Sequence, residues 1–415
     1  MSLAEGVSQS IRYKAYATGV ISANTQPDSA TDPAADGGQI LRRVSSTLKL
    51  AKDTYQSNEI RSDRQIADFR HGKRSVTGSI TGELSPKTWM DFIEASCRGT
   101  KSASVITLGP SALTSLAADN ATSKFIAAGG DPVALGLRKG MVFRASSLSD
   151  ANNNGKNFLI TGFGGTNNRN ISVFPAPETM TADTSFSLVT VGKSIFVPSS
   201  NFVSRKFGIE IYAEDIDVSR FFTECRAAGF TLDLPATGNG TIEVPFMGRD
   251  MELYKDADAP FYTAPTAETT TGIIAAVNGL LQVGGSTVGV VTGLNIKMDL
   301  SPSGDAVIGQ NVVPEIFLGR ANVTGQATAF FQDDTLINDF LNESEVSILA
   351  YLTTKSAPDT PAMTVYLPRV KFSDADVATS GEGGQAITMP FQALKADGTT
   401  PGDEATTIFI TDTEA

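Results

Sequence analysis

The chain has 415 residues, 41% of them hydrophobic, and a formal net charge of −12. This length is enough for two or three domains, each with a core of its own. The acidic balance argues against a protein that binds nucleic acid over its surface, because such affinity comes mainly from Lys and Arg. No apolar run approaches the roughly 20 residues of a membrane helix. No charged-then-apolar leader opens the chain, so we expect a soluble protein made in a cytoplasm.

Strands dominate the predicted secondary structure. Val, Ile, Thr and Phe fall in short runs, and 38 Gly and 19 Pro punctuate the chain, which favours an all-β fold with little helix. Residues 22–38 are polar, rich in small side chains and without period, so they predict a loop or mobile arm. Residues 40–52 then alternate between apolar and polar side chains, as a strand does.

A long charged segment, residues 53–72, follows this first strand. It is too charged for a core and too long for a tight hairpin, and loops of such length commonly bind a partner. Acidic and basic side chains are interleaved in it, a mixture that fits a salt-bridging protein contact better than a DNA groove. The candidate contact residues are Glu59, Arg61, Asp63, Arg64, Asp68 and Arg70.

A second strand and a helix come next. Residues 75–84 alternate, and the glycines at 78 and 82 on one side suggest a bulge or the close approach of another backbone. Ser85 and Pro86 then supply a helix N-cap and a first-turn proline. Because Trp89, Phe92 and Cys97 follow at helical spacing, we expect one short helix lying on a sheet.

The same pattern occurs twice along the chain. Val76, Thr77 and Gly78, which follow Gly72, recur as Val323, Thr324 and Gly325 after Gly319, at an offset of 247 residues. Each copy is followed by an apolar helical patch. Further on, the segment 242–246 returns as 387–391, at an offset of only 145. The repeat predicts two copies of one fold, with about a hundred extra residues inside the first.

The repeat also sets the expected domain boundaries. The block 101–190 contains short strands between Asn and Gly clusters and is long enough for a small β domain of its own. The expected parts are an N-terminal arm at 1–39, copy 1 at 40–100 and 191–258, the inserted β domain at 101–190, a linker at 259–271 and copy 2 at 272–415.

Motifs for catalysis or metal binding are weak. Asp150 to Gly155 match the opening of a calcium loop, but the twelfth position is Thr161 instead of Glu, and the same residues suit a hairpin turn. His71 is the single histidine and lies in a basic loop, while Cys97 and Cys225 fit small buried hydrophobes. No catalytic pair stands out, so we expect no enzyme, no cofactor and no metal site.

The chain resembles the major tail tube protein of long-tailed bacteriophages. The resemblance is carried by the run 57–68, by Gly72, and by residues 76–86 with a helix after them. The segments 136–144 and 152–155 of the insertion and the duplicated C-terminal half are similar to that family as well. The resemblance extends over roughly residues 40 to 400.

This resemblance implies a mainly β protein with two tandem sandwich or barrel domains, each with a short helix. Sheets of neighbouring domains would join into rings, which stack around an acidic lumen that DNA crosses without specific binding. The loop 53–72 would reach the adjacent ring. The implied partners are copies of the chain itself and other tail proteins (tape measure, tail tip and tail terminator), in a virion tail assembled in the host bacterial cytoplasm. A surface adhesin or carbohydrate-binding β-protein is the alternative.

The resemblance also bears on stoichiometry. Rings of this family hold six tube domains, so a chain with two needs three copies. We therefore expect a trimer with pseudo-sixfold symmetry, in which the junction within a chain is like that between chains; a hexamer of whole chains is the alternative. The insertion has no partner in copy 2, so we expect an outward-facing decoration, replaceable by a short linker without loss of fold or polymerisation.

Overall fold

The structure is a computed structural model that describes residues 5–16, 19–20, 33–275, 279–287, 291–332, 335–377 and 384–415. Much of the predicted arm, residues 1–4, 17–18 and 21–32, lies outside the described residues. The described part is mainly β, with antiparallel sheets and three short helices, so the predicted fold class is confirmed. These sheets are open, and none closes into a barrel.

Helices and strands are numbered in chain order. The first segment contains β1 (Gln9–Ala15), β2 (Gly19–Val20), β3 (Gln39–Ile40), β4 (Ser45–Ser46), β5 (Lys49–Gln56), β6 (Phe69–Glu83) and α1 (Met90–Cys97). The inserted block contains β7 (Thr107–Leu108), α2 (Pro110–Leu113), β8 (Ser115–Asp119), β9 (Lys124–Ala128), β10 (Val142–Ser146), β11 (Asn157–Gly164), β12 (Asn170–Phe174), β13 (Met180–Asp183) and β14 (Ser187–Thr190).

The remaining elements form the rest of copy 1 and copy 2. Copy 1 resumes with β15 (Lys193–Phe196), β16 (Val203–Ser204), β17 (Phe207–Ala213), β18 (Val218–Ala227), β19 (Gly229–Pro235), β20 (Thr241–Gly248) and β21 (Asp250–Lys255). Copy 2 contains β22 (Leu280–Val283), β23 (Ser286–Thr287), β24 (Val291–Asp299), β25 (Asn322–Phe330), α3 (Thr335–Leu341), β26 (Val346–Thr353), β27 (Ala362–Phe372), β28 (Asp376–Val377), β29 (Ala386–Ala393) and β30 (Phe409–Asp412).

Helix α1 fills the core of copy 1, as its apolar spacing predicts. The Phe92 ring lies 5.0 Å from that of Phe207 and 5.2 Å from that of Phe246, measured between centroids. Trp89 is also buried and lies against Gly82, where an added Cβ would come within 2.3 Å of the indole. Burial of one such aromatic side chain stabilises the fold by roughly 2 to 3 kcal/mol. At Gly78 the close neighbour is the backbone of Thr47 and Leu48, between β4 and β5, so the predicted approach of a second backbone is confirmed there.

The sequence repeat is matched residue by residue in the strand pairing. Strand β6 pairs with β20, and β25 pairs with β29, over eight residue pairs each. Gly78 lies opposite Phe246, and Gly325 lies opposite Phe391. Adding 247 to the first strand and 145 to the second converts every pair of copy 1 into a pair of copy 2. The two offsets therefore mark structurally equivalent positions, and the domain boundaries themselves stay a prediction.

The inserted block forms an eight-stranded sheet with its own core. Phe125, Phe143 and Phe158 pack there with ring centroids 5.0 to 5.7 Å apart. Two of its inner strands, β10 and β11, also contact copy 2, where Val142 and Leu159 join an apolar cluster that includes Leu349, Tyr351, Tyr366 and Phe409. The block is thus inserted into copy 1 in sequence and packs on copy 2 in space.

The predicted linker, 259–271, lies along copy 1. The Glu210 carboxylate accepts hydrogen bonds from the backbone N–H groups of Phe261 (2.6 Å) and Tyr262 (3.1 Å). Thr263 O accepts a further bond from the N–H of Gly37 at 2.9 Å. These contacts fix the point at which copy 2 leaves copy 1. Within the described residues, no helix combines the length and apolar character required to span a membrane.

Candidate assembly surfaces

A seam of seven residue pairs joins the two copies in one sheet. Strand β19 of copy 1 pairs antiparallel with β24 of copy 2, from Gly229 opposite Asp299 to Pro235 opposite Gly293. Both strands are central, because β19 also pairs with β20 and β24 also pairs with β25. The seam therefore extends one sheet across both copies.

Each of the two seam strands has a counterpart in the other copy, and within the described residues each counterpart has one edge without a pairing partner. Strands β4 and β5 are the counterpart of β24, since Lys49 lies opposite Thr77 as Lys297 lies opposite Thr324. Within the described residues they pair only with β6. Strand β28 is the counterpart of β19, and its described residues pair only with β29. An unpaired edge presents backbone N–H and C=O groups to which another strand can add.

The loop 53–72 forms an extended hairpin of β5 and β6. All six predicted contact residues are exposed in it, and four of them form ion pairs within the hairpin, Arg61 with Asp63 (3.2 Å) and Arg70 with Asp68 (2.8 Å). These hydrogen bonds hold the pKa of both carboxyls below the usual range. Glu59 and Arg64 lie at the exposed tip. The structure thus brings the predicted residues together on one surface element, although nothing in it shows what they bind.

Four exposed apolar side chains on this hairpin were not singled out from the sequence. They are Tyr55, Ile60, Ile66 and Phe69. Large apolar residues grouped on an exposed element are typical of an interaction site. The sequence could have shown them, because large apolar residues stand out in a segment that is otherwise too charged to form a core.

The corresponding loop of copy 2, residues 300–321, is docked on copy 1. Asn311 O accepts a hydrogen bond from Arg74 N at 2.8 Å, and Val313 O accepts one from Arg249 Nε at 2.8 Å. The Val313 and Ile316 side chains are 0% and 1% exposed. This loop therefore buries apolar side chains on the neighbouring copy.

A buried ion network ties the docked loop to copy 1. Glu315 pairs with Lys206 (2.8 Å) and Arg226 (3.2 Å), and Lys206 also pairs with Glu224 (2.6 Å). Arg249 completes the network at Glu224. Because these charges are withdrawn from water, each depends on its partners to offset its desolvation. Loss of one member is expected to cost several kcal/mol, on the order of 3.

The motifs considered for chemistry have structural roles. Cys97 and Cys225 are buried, as predicted, and burial raises the pKa of the Cys97 thiol to about 12, which keeps it protonated and unreactive. Asp150 caps a short turn, and Asn153 donates a hydrogen bond to Glu178 O. Among the described residues, no group of three or more His, Cys, Asp or Glu side chains is placed to hold a metal ion.

A family model described as phage tail tube protein matches residues 8–393, which is nearly the whole chain and includes both copies and the insertion. No curated protein matches the chain significantly.

Proposed function

Since the chain belongs to the phage tail tube protein family, we propose that it assembles with copies of itself into closed rings, and that these rings stack into the hollow tube through which DNA leaves the virion. The family gives the chain a structural role in the virion tail. The observation that carries the proposal is the seam of β19 and β24, whose two counterparts have open edges.

Ring closure then repeats between chains the joint that exists within one. Strand β28 of one chain adds to the open edge of β4 and β5 in the next, with Val377 opposite Leu48 as Leu232 lies opposite Ile296. Such a head-to-tail contact makes a ring when its rotation closes. We propose three chains per ring, which places six tube domains around the axis; a hexamer of whole chains is the alternative.

Ring-to-ring contacts are proposed for the loop tips. Ile60 of the hairpin and Ile308 of the docked loop occupy equivalent tip positions, and both are fully exposed. In the hairpin, Glu59, Arg61, Asp63 and Arg64 surround this isoleucine. Because Ile308 stays exposed although Val313 and Ile316 of the same loop are buried, we propose that the tip is left for a partner outside the ring.

The charge of the chain suits a conduit for DNA. A net charge of −12 gives little attraction for phosphates, so DNA can pass without being held. The tube ends need other tail proteins, for which tape measure, tail tip and tail terminator proteins are the proposed partners. Nothing in the described part of the chain favours the alternative of an adhesin or carbohydrate-binding protein.

Electron microscopy and native mass spectrometry of the purified protein test the proposal together. We expect rings and tubes in the micrographs and a ring mass three times that of the 43.6 kDa chain. A ring of six chains would refute the trimer while leaving assembly intact. A protein that stays monomeric at high concentration, with no rings, would refute the assembly proposal.

A further inference from the structure

We propose that the base of the hairpin, residues 66–69, docks on copy 2 of a second chain, where Asp68 pairs with Lys371. The contact copies the one that Glu315 makes with Arg226 inside the chain. This inference rests on the proposed function, because it needs neighbouring chains in a ring. It assigns a within-ring role to the hairpin base and leaves the tip for contacts between rings.

The two loops carry matching side chains at matching positions. At the offset of 247 that relates β6 to β25, Ile66 corresponds to Val313, Asp68 to Glu315 and Phe69 to Ile316. Ile66 and Phe69 are 65% and 56% exposed, whereas their counterparts are buried. The free hairpin thus presents the same apolar, acidic, apolar set that its counterpart buries on a neighbouring copy.

The receiving surface also has a counterpart. Strands β17 and β18 pair as β26 and β27 do, with a bulge at the same place, between Phe207 and Ile209 in one copy and Val346 and Ile348 in the other. This register makes Lys206, Glu224 and Arg226 equivalent to Glu345, Arg369 and Lys371. Side chains of the first set are at most 10% exposed beneath the docked loop; those of the second are 39 to 42% exposed.

Charge complementarity fits a second copy of this chain. Lys206 and Glu224 form an ion pair of 2.6 Å, and Glu345 and Arg369 form one of 2.6 Å with the signs exchanged. Position 371 keeps the positive charge of position 226, so an incoming Asp68 meets a cation where Glu315 meets Arg226. The nearer partner of Glu315, Lys206, corresponds to Glu345, and that carboxylate is already paired with Arg369. Lys371 Nζ lies 3.8 to 3.9 Å from Glu343 and Glu345, on an accessible surface.

One difference between the loops indicates what docking changes. In copy 2 the strand ladder ends with Asp299 opposite Asn322, the counterpart of Ala51 opposite Ser75. In copy 1 the ladder continues to Gln56 opposite Phe69. The extra pairs belong to the hairpin before docking, and they open when residues 66–69 transfer to the neighbouring chain.

Charge reversal in the full-length chain tests the pair. Asp68→Lys and Lys371→Glu each place like charges together across the joint, so we expect each to raise the concentration needed for ring formation about tenfold or more. Combining them restores opposite charges and is expected to restore assembly. Asp258→Lys is the matched control, because it makes the same charge change at an exposed residue outside the hairpin and should leave rings intact. Native mass spectrometry reports rings, and thermal unfolding confirms that each variant is folded.

The outcomes separate this inference from the proposed function. Unaltered protein that forms no rings overturns both. Rings from the unaltered chain together with normal rings from Asp68→Lys overturn only the docking of the hairpin base. Assembly that fails in both single variants and is not restored in the double variant overturns the pairing of positions 68 and 371. Loss of rings in the Asp258→Lys control to the same extent overturns it as well, because the effect would then follow the net charge of the chain in general.

Discussion

The hairpin 53–72 and the loop 300–321 occupy equivalent positions in the two copies, but the loop is docked on the other copy and the hairpin is exposed. Copy 2 sends its loop onto copy 1, where Val313 and Ile316 are buried and Glu315 enters an ion network. Copy 1 has no neighbour on that side within the chain, and its hairpin stays exposed. The docked loop therefore shows, within one chain, the kind of interface that we propose the exposed hairpin forms with a second chain.

A second difference between the copies concerns the face of β17 and β18. In copy 1 this face is covered by the linker, with the rings of Phe221 and Phe261 4.2 Å apart between centroids. In copy 2 the residue equivalent to Phe221 is Tyr366, which packs against Val142 and Leu159 of the insertion. The insertion therefore replaces for copy 2 the cover that the linker supplies to copy 1.

Removing the insertion should have the largest effect on the chain. Replacement of residues 101–190 by a Gly-Ser linker uncovers Leu349, Tyr351, Tyr366 and Phe409. We expect loss of roughly 5 kcal/mol of unfolding free energy, from lost apolar burial, measured by urea unfolding. This contact changes the sequence-based expectation that the block is replaceable without loss. Leu349→Thr combined with Tyr351→Thr should restore the solubility of the shortened chain. If the shortened chain without these two substitutions has the same unfolding midpoint as the full chain, the prediction is contradicted.

Charge reversal in the docked loop comes next. Glu315→Lys places a third cation beside Lys206 and Arg226, so we expect about 3 kcal/mol or more of destabilisation in urea unfolding of the single chain. Asp68→Lys at the equivalent position of the free hairpin should change the same quantity by less than about 0.5 kcal/mol, because its ion pair is exposed. Equal effects at the two positions contradict the distinction between docked and free loops.

A further contact between the copies, the pairing of β30 with β15 of copy 1, should depend on pH. Burial raises the pKa of the Asp412 carboxyl to about 6, against hydrogen bonds from the backbone N–H groups of Lys87 and Glu414. Because the pKa of this carboxyl is higher in the folded than in the unfolded state, the folded state is favoured while the carboxyl is protonated. This contribution to the free energy of unfolding is fully present below pH 4 and is lost as the pH rises to about 6. Asp412→Asn should therefore gain stability relative to the unaltered chain by up to about 3 kcal/mol between pH 4 and 7.

Urea unfolding at several pH values between 4 and 7 measures this difference. Asp258→Asn is the control, since it removes a carboxylate that is exposed. A difference between Asp412→Asn and the unaltered chain that stays constant with pH contradicts the prediction.

The loop tips should affect the single chain least. Ile60→Ser combined with Ile308→Ser removes two fully exposed side chains, so the free energy of unfolding should change by less than about 0.5 kcal/mol. Rings should form normally and stack into short tubes or none, as judged by microscopy. Leu253→Ser, at another exposed apolar residue, should leave tube length unchanged. Tubes of normal length from the double variant would show that the tips are not the stacking contacts.

The sequence predicted local structure and the repeat well, because both depend on residue order. The helix that contains Phe92 lies where the spacing placed it, but it begins at Met90 with Trp89 at the N-cap position, so the predicted cap at Ser85 and first-turn Pro86 were wrong. The offsets found from short identities hold through the strand register. The seam of β19 and β24 was not predictable in this way, since pairing between copies depends on where each domain lies. Ile66 and Phe69 were missed for the same reason. Their charged neighbours indicate only an exposed segment, and the surface that such residues can pack on is seen only where the equivalent loop of copy 2 is docked.

The seam of β19 and β24 also limits the errors that ring assembly can make. Because the two copies are joined inside every chain, a ring of the proposed kind could gain or lose domains only in pairs, and every closed ring would hold an even number. A ring one domain too small or too large, the nearest mistake for a single-domain subunit, cannot be built from this chain. The next possible ring differs by two domains and must bend every joint further from its preferred angle.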